Sequence, residues 1–166
     1  MNSERKYAEM ELLVPMIEEK VASNKEVRLT VSGNSMFPML IHRRDSVVLK
    51  KIDKLKKYDI PLYRRENGAY VLHRIVKIEN NCFHIAGDNE IKLEYPVKNE
   101  QTIAVVRGFY RKGKYYSTDN FLYKIYTRLW CALLPCRYRV LSVLIRFKRK
   151  MGGKSARKST KKSAEK

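Results

Sequence analysis

Ser35 is the residue whose setting first points to chemistry. It lies in residues 31–40, VSGNSMFPML, just past the turn formers Ser32-Gly33-Asn34 and ahead of Met36, Phe37, Met39 and Leu40. Val27, Leu29 and Val31 alternate with charged or polar residues, which predicts a half-buried strand running into that turn. A serine on a sharp turn, anchored from behind by apolar side chains, holds its hydroxyl and backbone N–H rigidly. A nucleophile beside an oxyanion site needs that rigidity. The competing reading is a surface turn whose serine caps Phe37-Pro38-Met39. A nucleophilic serine also needs a base. The chain has three histidines, His42, His73 and His84. His42 stands beside Arg43 and Arg44, which fits a solvated loop. His73 and His84 both alternate with apolar strand residues, so pattern alone does not choose between them.

The elements that must position these groups are short and mostly extended. Asp45-Ser46-Val47-Val48-Leu49 reads as a strand, and residues 50–57 as a basic connector anchored by Ile52 and Leu55. Ile60-Pro61-Leu62-Tyr63 and residues 69–76 read as strands joined at Glu66-Asn67-Gly68, since Asn-Gly between β-rich runs is a hairpin signal. Glu79-Asn80-Asn81 turns into the strand Cys82-Phe83-His84-Ile85-Ala86, which ends at the polar turn Gly87-Asp88-Asn89. Residues 103–110 form a last strand before a turn at Lys112-Gly113-Lys114. Strands at this spacing predict a mainly β, compact core. Residues 4–23 carry Leu13, Met16, Ile17 and Val21 at helical spacing. They predict one or two short helical turns, with Pro15 opening the second or kinking a single one.

Four blocks, in one order, resemble the type I signal peptidases and the wider serine-peptidase clan that includes LexA-like repressors. The serine box matches at Gly33, Ser35, Met36, Pro38 and Leu40. The second block is Tyr58-Asp59-Ile60-Pro61-Leu62-Tyr63-Arg64, the third Tyr70-Val71-Leu72-His73-Arg74-Ile75-Val76, and the fourth Gly87-Asp88-Asn89. Together they span residues 29–108, about half the chain. The resemblance implies a signal-peptidase/LexA-like β-core and a serine endopeptidase that cleaves a signal, leader or precursor peptide. It implies Ser35 as nucleophile and His73 as base, because histidine before arginine in the third block is similar to the endoplasmic-reticulum and archaeal Ser-His type. Imidazole titrates near neutrality without the strong desolvation that a general-base lysine requires. Lys77, four residues on, is the competing base.

The same resemblance makes Asp88 the group that orients His73. An Asx turn is the bland reading of Asp88, and Glu94 is the nearby acidic alternative. Gly33, Met36 and Pro38 would lie along an extended peptide substrate. Arg74 and Asp45 would be structural pairs, and no metal or cofactor is implied. Gly33 stands where some bacterial members carry a second serine, so the second oxyanion donor is unassigned. A LexA-like repressor would need a DNA-binding domain that the roughly 30 residues before the box do not provide. The rival to a peptidase is a non-catalytic module that keeps the fold and binds a peptide or an anionic surface.

Charge is placed unevenly. The chain carries 36 Lys/Arg and 17 Asp/Glu over 166 residues. Residues 1–106 are net +3 and residues 107–166, with 18 basic and 2 acidic residues, net +16. From Phe121, Leu122, Ile125, Tyr126, Leu129, Trp130, Leu133 and Leu134 recur at helical spacing. After Pro135, Val140, Leu141, Val143, Leu144, Ile145 and Phe147 continue among arginines. This is a basic amphipathic helical pair, which either packs on the β-core, binds an anionic membrane surface through residues 119–150, or meets a protein partner. Nucleic acid is the second choice for the basic tail. The expected organisation is a helical segment at 1–25, the β domain at 26–118, the amphipathic helices at 119–149 and a disordered tail at 150–166.

The uncharged apolar runs Leu12-Leu13-Val14-Pro15-Met16-Ile17 and residues 129–136 are too short to span a bilayer. The expectation is therefore a peripheral membrane or cytoplasmic protein without the membrane anchor of typical signal peptidases. Cys82, Cys131 and Cys136 fit no zinc spacing and are expected as reduced thiols.

Overall fold

The computed structural model describes residues 3–134, 136 and 139, with side chains from residue 10 onward. The protein is mainly β, with one helix before the sheets and one after them. In chain order the elements are α1 (Ser3–Ala22), β1 (Val27–Thr30), β2 (Ser46–Lys50), β3 (Pro61–Arg64), β4 (Tyr70–Leu72), β5 (Arg74–Glu79), β6 (Cys82–Ala86), β7 (Glu94–Lys98), β8 (Thr102–Arg111), β9 (Lys114–Ser117) and α2 (Phe121–Ala132). Internal contacts divide the chain between Cys131 and Ala132, so α1, both sheets and all of α2 but its last residue form one unit. The second half of the expected helical pair, from Val140 on, and the tail lie outside the described residues.

Two antiparallel sheets make the core. The larger has the order β1-β2-β8-β3-β4, with β9 also paired to β8, and the smaller is β5-β6-β7. The long β8 carries the large sheet. It pairs with β2 and β3 on its two sides and folds back on β9 through a turn with Lys112 and Gly113 at positive φ. Register shifts in β2–β8, β3–β8, β5–β6 and β6–β7 bend both sheets, as expected of bulges. The Asn67-Gly68 hairpin forms as its residues dictate. Gly68 takes φ 85°, and the Ala69 N–H donates to Asn67 Oδ1 at 3.2 Å. Asn80 and Asn81, both at positive φ, turn β5 into β6 in the same way.

Two hydrophobic clusters bind these layers. One gathers Ile17, Val21, Val31, Met36, Met39, Leu40, Val47, Leu49, Ile60 and Leu62. The other gathers Tyr63, Ile75, Phe83, Ile85, Val97 and Val105 between the sheets. The N-terminal segment is a single helix with Pro15 inside it, not two pieces. Its buried stripe is Val14, Ile17 and Val21, each stabilising the fold by about 1.5–3 kcal/mol. Leu13 and Met16, expected on that stripe, are exposed. Strands β7 and β9 have no counterpart in the pattern reading: Pro96 interrupts one, and the other is four exposed or half-exposed residues.

The largest departure is at residues 69–76. They read as one strand and fold as two, β4 in the large sheet and β5 in the small one, with His73 alone between them. Among the described residues no helix is long and apolar enough to cross a membrane. Cys82, Cys131 and Cys136 are thiols, not disulfide-bonded.

Candidate active site

The serine box closes a loop between β1 and β2. The Val31 N–H donates to the Asp45 carbonyl at 3.0 Å, and the Arg43 N–H donates back to the Val31 carbonyl at 2.8 Å. Within the loop, Phe37 N–H donates to the Asn34 carbonyl and Leu40 N–H to the Met36 carbonyl, so residues 34–40 wind as successive turns. Gly33 takes φ 115°, a conformation that disfavours any side chain. Its N–H donates to His42 Nδ1 at 2.9 Å, so His42 is a brace of the serine loop rather than a solvated loop residue. Asp45, fully buried, accepts from Ile41 N–H at 2.9 Å and from Arg44, a structural role as expected.

Met36 is 2% exposed and packs in the core, so it supports Ser35 from behind; it does not line a substrate groove. That corrects its expected place beside the substrate: the turn's winding points the side chain after the serine inward. Pro38 is half-buried and Ser35 itself is partly accessible.

The loop that follows β6 docks against this box. Asn89 N–H donates to the Ser35 carbonyl at 2.7 Å. A Cβ on Gly87 would stand 2.7 Å from that same carbonyl oxygen, so only glycine allows the approach. The turn closes with Glu90 N–H on the Gly87 carbonyl at 3.0 Å. Glu90 then places Oε2 3.7 Å from His73 Nε2. The turn at 87–90 thus touches the Ser35 backbone with one side and faces the His73 ring with the other.

His73 is 1% exposed because it occupies the corner where the chain leaves one sheet for the other. Its Nδ1 lies 3.0 Å from Glu94 Oε1, and Tyr63 Oη is 3.4 Å from the same nitrogen. Arg65 grips the Glu94 carboxylate with both arms of its guanidinium, the Nε–Oε2 distance being 2.7 Å and the second bond, to Oε1, shorter. Burial pushes the Glu94 carboxyl upward. The hydrogen bonds from His73, Arg65 and Tyr63 outweigh that effect and hold it well below the usual carboxylate range. Burial and the neighbouring Glu94 push the Tyr63 phenol well up, so it stays protonated.

An ionised carboxylate can only accept, so Nδ1 carries a proton toward Glu94, and in the neutral imidazole Nε2 is the nitrogen with the lone pair. That buried Nε2 has no hydrogen-bond partner. It is therefore not bonded to the Ser35 hydroxyl in this state.

Asp88 does not hold His73. Its Oδ1 and Oδ2 receive Arg74 Nε and Nη2 at 2.9 and 2.7 Å, in a pair buried on both sides. The correction has a simple cause. His73 and Arg74 are adjacent in an extended chain, so they face opposite ways, and the buried guanidinium takes both oxygens of Asp88. Arg74 also donates to the Tyr58 carbonyl and the Tyr123 hydroxyl, and the Trp130 indole N–H donates to the Asp88 carbonyl at 3.2 Å. Burial pulls the Arg74 pKa down, but Asp88 and Tyr123 more than offset it, and the guanidinium stays charged. The pair ties the second, third and fourth blocks to α2.

The other two candidates for the base fall away. Lys77 is exposed and paired with Glu79 at 2.8 Å, and His84 stacks on Tyr95 with its Nε2 3.0 Å from Glu79. Glu90 is the residue that sequence reasoning missed. It lies two residues beyond the Asp88 of the fourth block, and no pattern marks it. The site therefore consists of a braced serine turn, a buried histidine of fixed tautomer with a carboxylate behind it, and a second carboxylate in front. No protein-family model matches this chain, and no curated protein does either.

Proposed function

We propose that the protein is a serine endopeptidase, similar to the Ser-His signal peptidases, that cleaves an extended leader or precursor peptide. The observation that carries the reading is the buried, unpartnered Nε2 of His73, whose Nδ1–H is fixed on an ionised carboxylate. A general base beside a serine needs that state. The four sequence blocks supply the second support.

In the reaction, Ser35 Oγ attacks the peptide carbonyl carbon while its proton passes to His73 Nε2. The Ser35 backbone N–H donates to the oxyanion. The imidazolium returns the proton to the leaving amine, and water deacylates the ester by the same base. Glu94 orients the ring and stabilises the imidazolium in place of Asp88. The Ser35–His73 hydrogen bond forms when substrate is in place, as such bonds tighten in the complex.

The test is labelling of the full chain with a serine-reactive phosphonate. Wild-type protein is expected to be labelled at Ser35, Ser35→Ala not at all, and His73→Ala at least a thousandfold more slowly. Unlabelled wild type that also hydrolyses no peptide would leave only the non-catalytic binding module.

We further propose that the protein works at an anionic membrane surface. On α2, Leu122 and Leu129 are 73% and 61% exposed, with Phe121 and Ile125 beside them, and Lys124 and Arg128 lie on the same helix. The basic run that follows in sequence adds charge, at about 1 kcal/mol for each residue near the surface. Leu141 and Leu144, also expected to contribute apolar area, lie outside the described residues.

Trp130, on the same helix, stacks on Tyr126 and bonds to Asp88, so its emission follows the docking of α2 and not lipid contact. Co-sedimentation is the better measurement. Binding to phosphatidylserine vesicles is expected at low salt and should fall, but not vanish, as salt rises. Leu122→Ser with Leu129→Ser should remove the salt-resistant part. Absence of binding at low salt would refute the membrane reading without touching the peptidase one.

A further inference from the structure

We propose that His73 Nε2 and the Glu90 carboxylate form a site for a borderline divalent cation, represented by Zn2+, whose binding switches the serine centre off. The cation site stands on its own geometry; the switching rests on the peptidase reading. His73, Glu90 and Glu94 each offer one ligand atom, and these atoms lie within 4.8 Å of one another. Acidic groups near one another are common on proteins, but here the cluster contains a ring nitrogen that is buried and has no hydrogen-bond partner.

The fit is chemical as well as spatial. Zinc takes imidazole nitrogen and carboxylate oxygen at about 2.0–2.2 Å in a tetrahedron, which sets two ligands about 3.4 Å apart. His73 Nε2 and Glu90 Oε2 are 3.7 Å apart, so a shift of a few tenths of an ångström in the half-exposed Glu90 side chain closes the site. Glu94 supplies what a metal-bound histidine needs on its other nitrogen, a carboxylate that fixes the tautomer and raises the basicity of the ring. The turn carrying Glu90 is hydrogen-bonded to the serine loop through the Asn89 N–H and the Ser35 carbonyl, and water completes the tetrahedron. A hard ion such as Mg2+ prefers an all-oxygen shell and is a poor match for the imidazole.

A cation on Nε2 occupies the lone pair that must receive the serine proton. Binding and turnover are then mutually exclusive, and Glu90 is the residue that makes the exclusion possible. The Ser35 nucleophile is left intact, so removal of the metal restores the site.

Two measurements on the full-length chain, freed of metal by chelator, test the proposal. In the first, Zn2+ is titrated in competition with a chromophoric chelator, and Co2+ is used to read the ligand type. One cation per chain is expected in a nitrogen–oxygen site, without the near-ultraviolet band that thiolate ligation gives. Affinity should fall at least about tenfold in Glu90→Gln and in His73→Gln, and by about tenfold or more in Glu94→Gln through the lost support. A thiolate band, or equal affinity in all four proteins, would overturn the site. In the second, phosphonate labelling of Ser35 is timed with and without Zn2+. The wild-type rate should drop at least tenfold with Zn2+, and the ratio of the two rates should approach one in Glu90→Gln. If Ser35 is never labelled but Zn2+ binds as described, the peptidase reading fails and the cation site stands. Labelling that proceeds at one rate whether or not Zn2+ sits on His73 and Glu90 would overturn the switch.

Discussion

Replacing Glu94 by glutamine is expected to leave a folded protein that reacts with a serine-directed phosphonate roughly ten-thousandfold more slowly than wild type. The reason is the proton on the ring. Ionised Glu94 accepts from His73 Nδ1–H, which leaves Nε2 free to act as base. A glutamine amide can instead turn its NH2 toward Nδ1. That stabilises the tautomer with the proton on Nε2, where it blocks acceptance of the serine proton. Arg65 stays one-third exposed and can turn to solvent, so loss of the charge lowers stability without unfolding the protein.

Acid gives an internal control. The Glu94 carboxyl is held below its ordinary value near 4.5, so its contribution to stability is complete above that pH and is lost as pH falls toward the folded value. Urea-unfolding curves of wild type and Glu94→Gln should therefore differ at neutral pH and converge in acid. Wild-type labelling in Glu94→Gln, with a folded but unreactive Asp88→Asn, would return the orienting role to Asp88.

The Asp88→Asn variant is expected to fail in a different way, by unfolding. It leaves the Arg74 guanidinium buried without its counter-charge, which costs about 3–5 kcal/mol and lowers Tm on the order of 10 °C. The loss should be largely repaired by replacing Arg74 as well. The double variant Arg74→Met with Asp88→Leu should be more stable than the sum of the single losses predicts, because the two residues form one buried unit. Urea denaturation of the four proteins measures that coupling. Additive losses would mean that the pair is not the tie it is taken for. The folded fraction of Asp88→Asn should keep its labelling rate, since neither Asp88 oxygen bonds to the His73 ring.

The contrast between these two acidic residues marks where the sequence stops and the fold begins. Local patterns determine the mainly β class, the Asn67-Gly68 and Asn80-Asn81 turns, the glycine at 33 and the brackets of most strands. Each depends on a residue's own backbone preference or on an alternation over a few positions, and both are written in the chain. The serine turn is legible for the same reason.

The partner of His73 is not legible, because it depends on where the chain changes sheets. Residues 69–76 carry one continuous β pattern, and nothing local marks the break at His73. The break turns His73 into the interior and, by alternation, sends Arg74 the other way to Asp88. Glu94 reaches the ring only because β7, a strand interrupted by Pro96, pairs with β6 across the small sheet, setting Glu94 opposite Ile85. Glu90 reaches it only because Gly87 lets the following turn press on the Ser35 carbonyl. His42 shows the same limit, since beside two arginines it reads as solvated, yet closure of residues 31–45 brings its ring to the Gly33 N–H. Residue type and spacing name the groups capable of chemistry, but hydrogen bonds between residues 21 apart are set by strand pairing, and only the folded sheets decide which carboxylate the histidine meets.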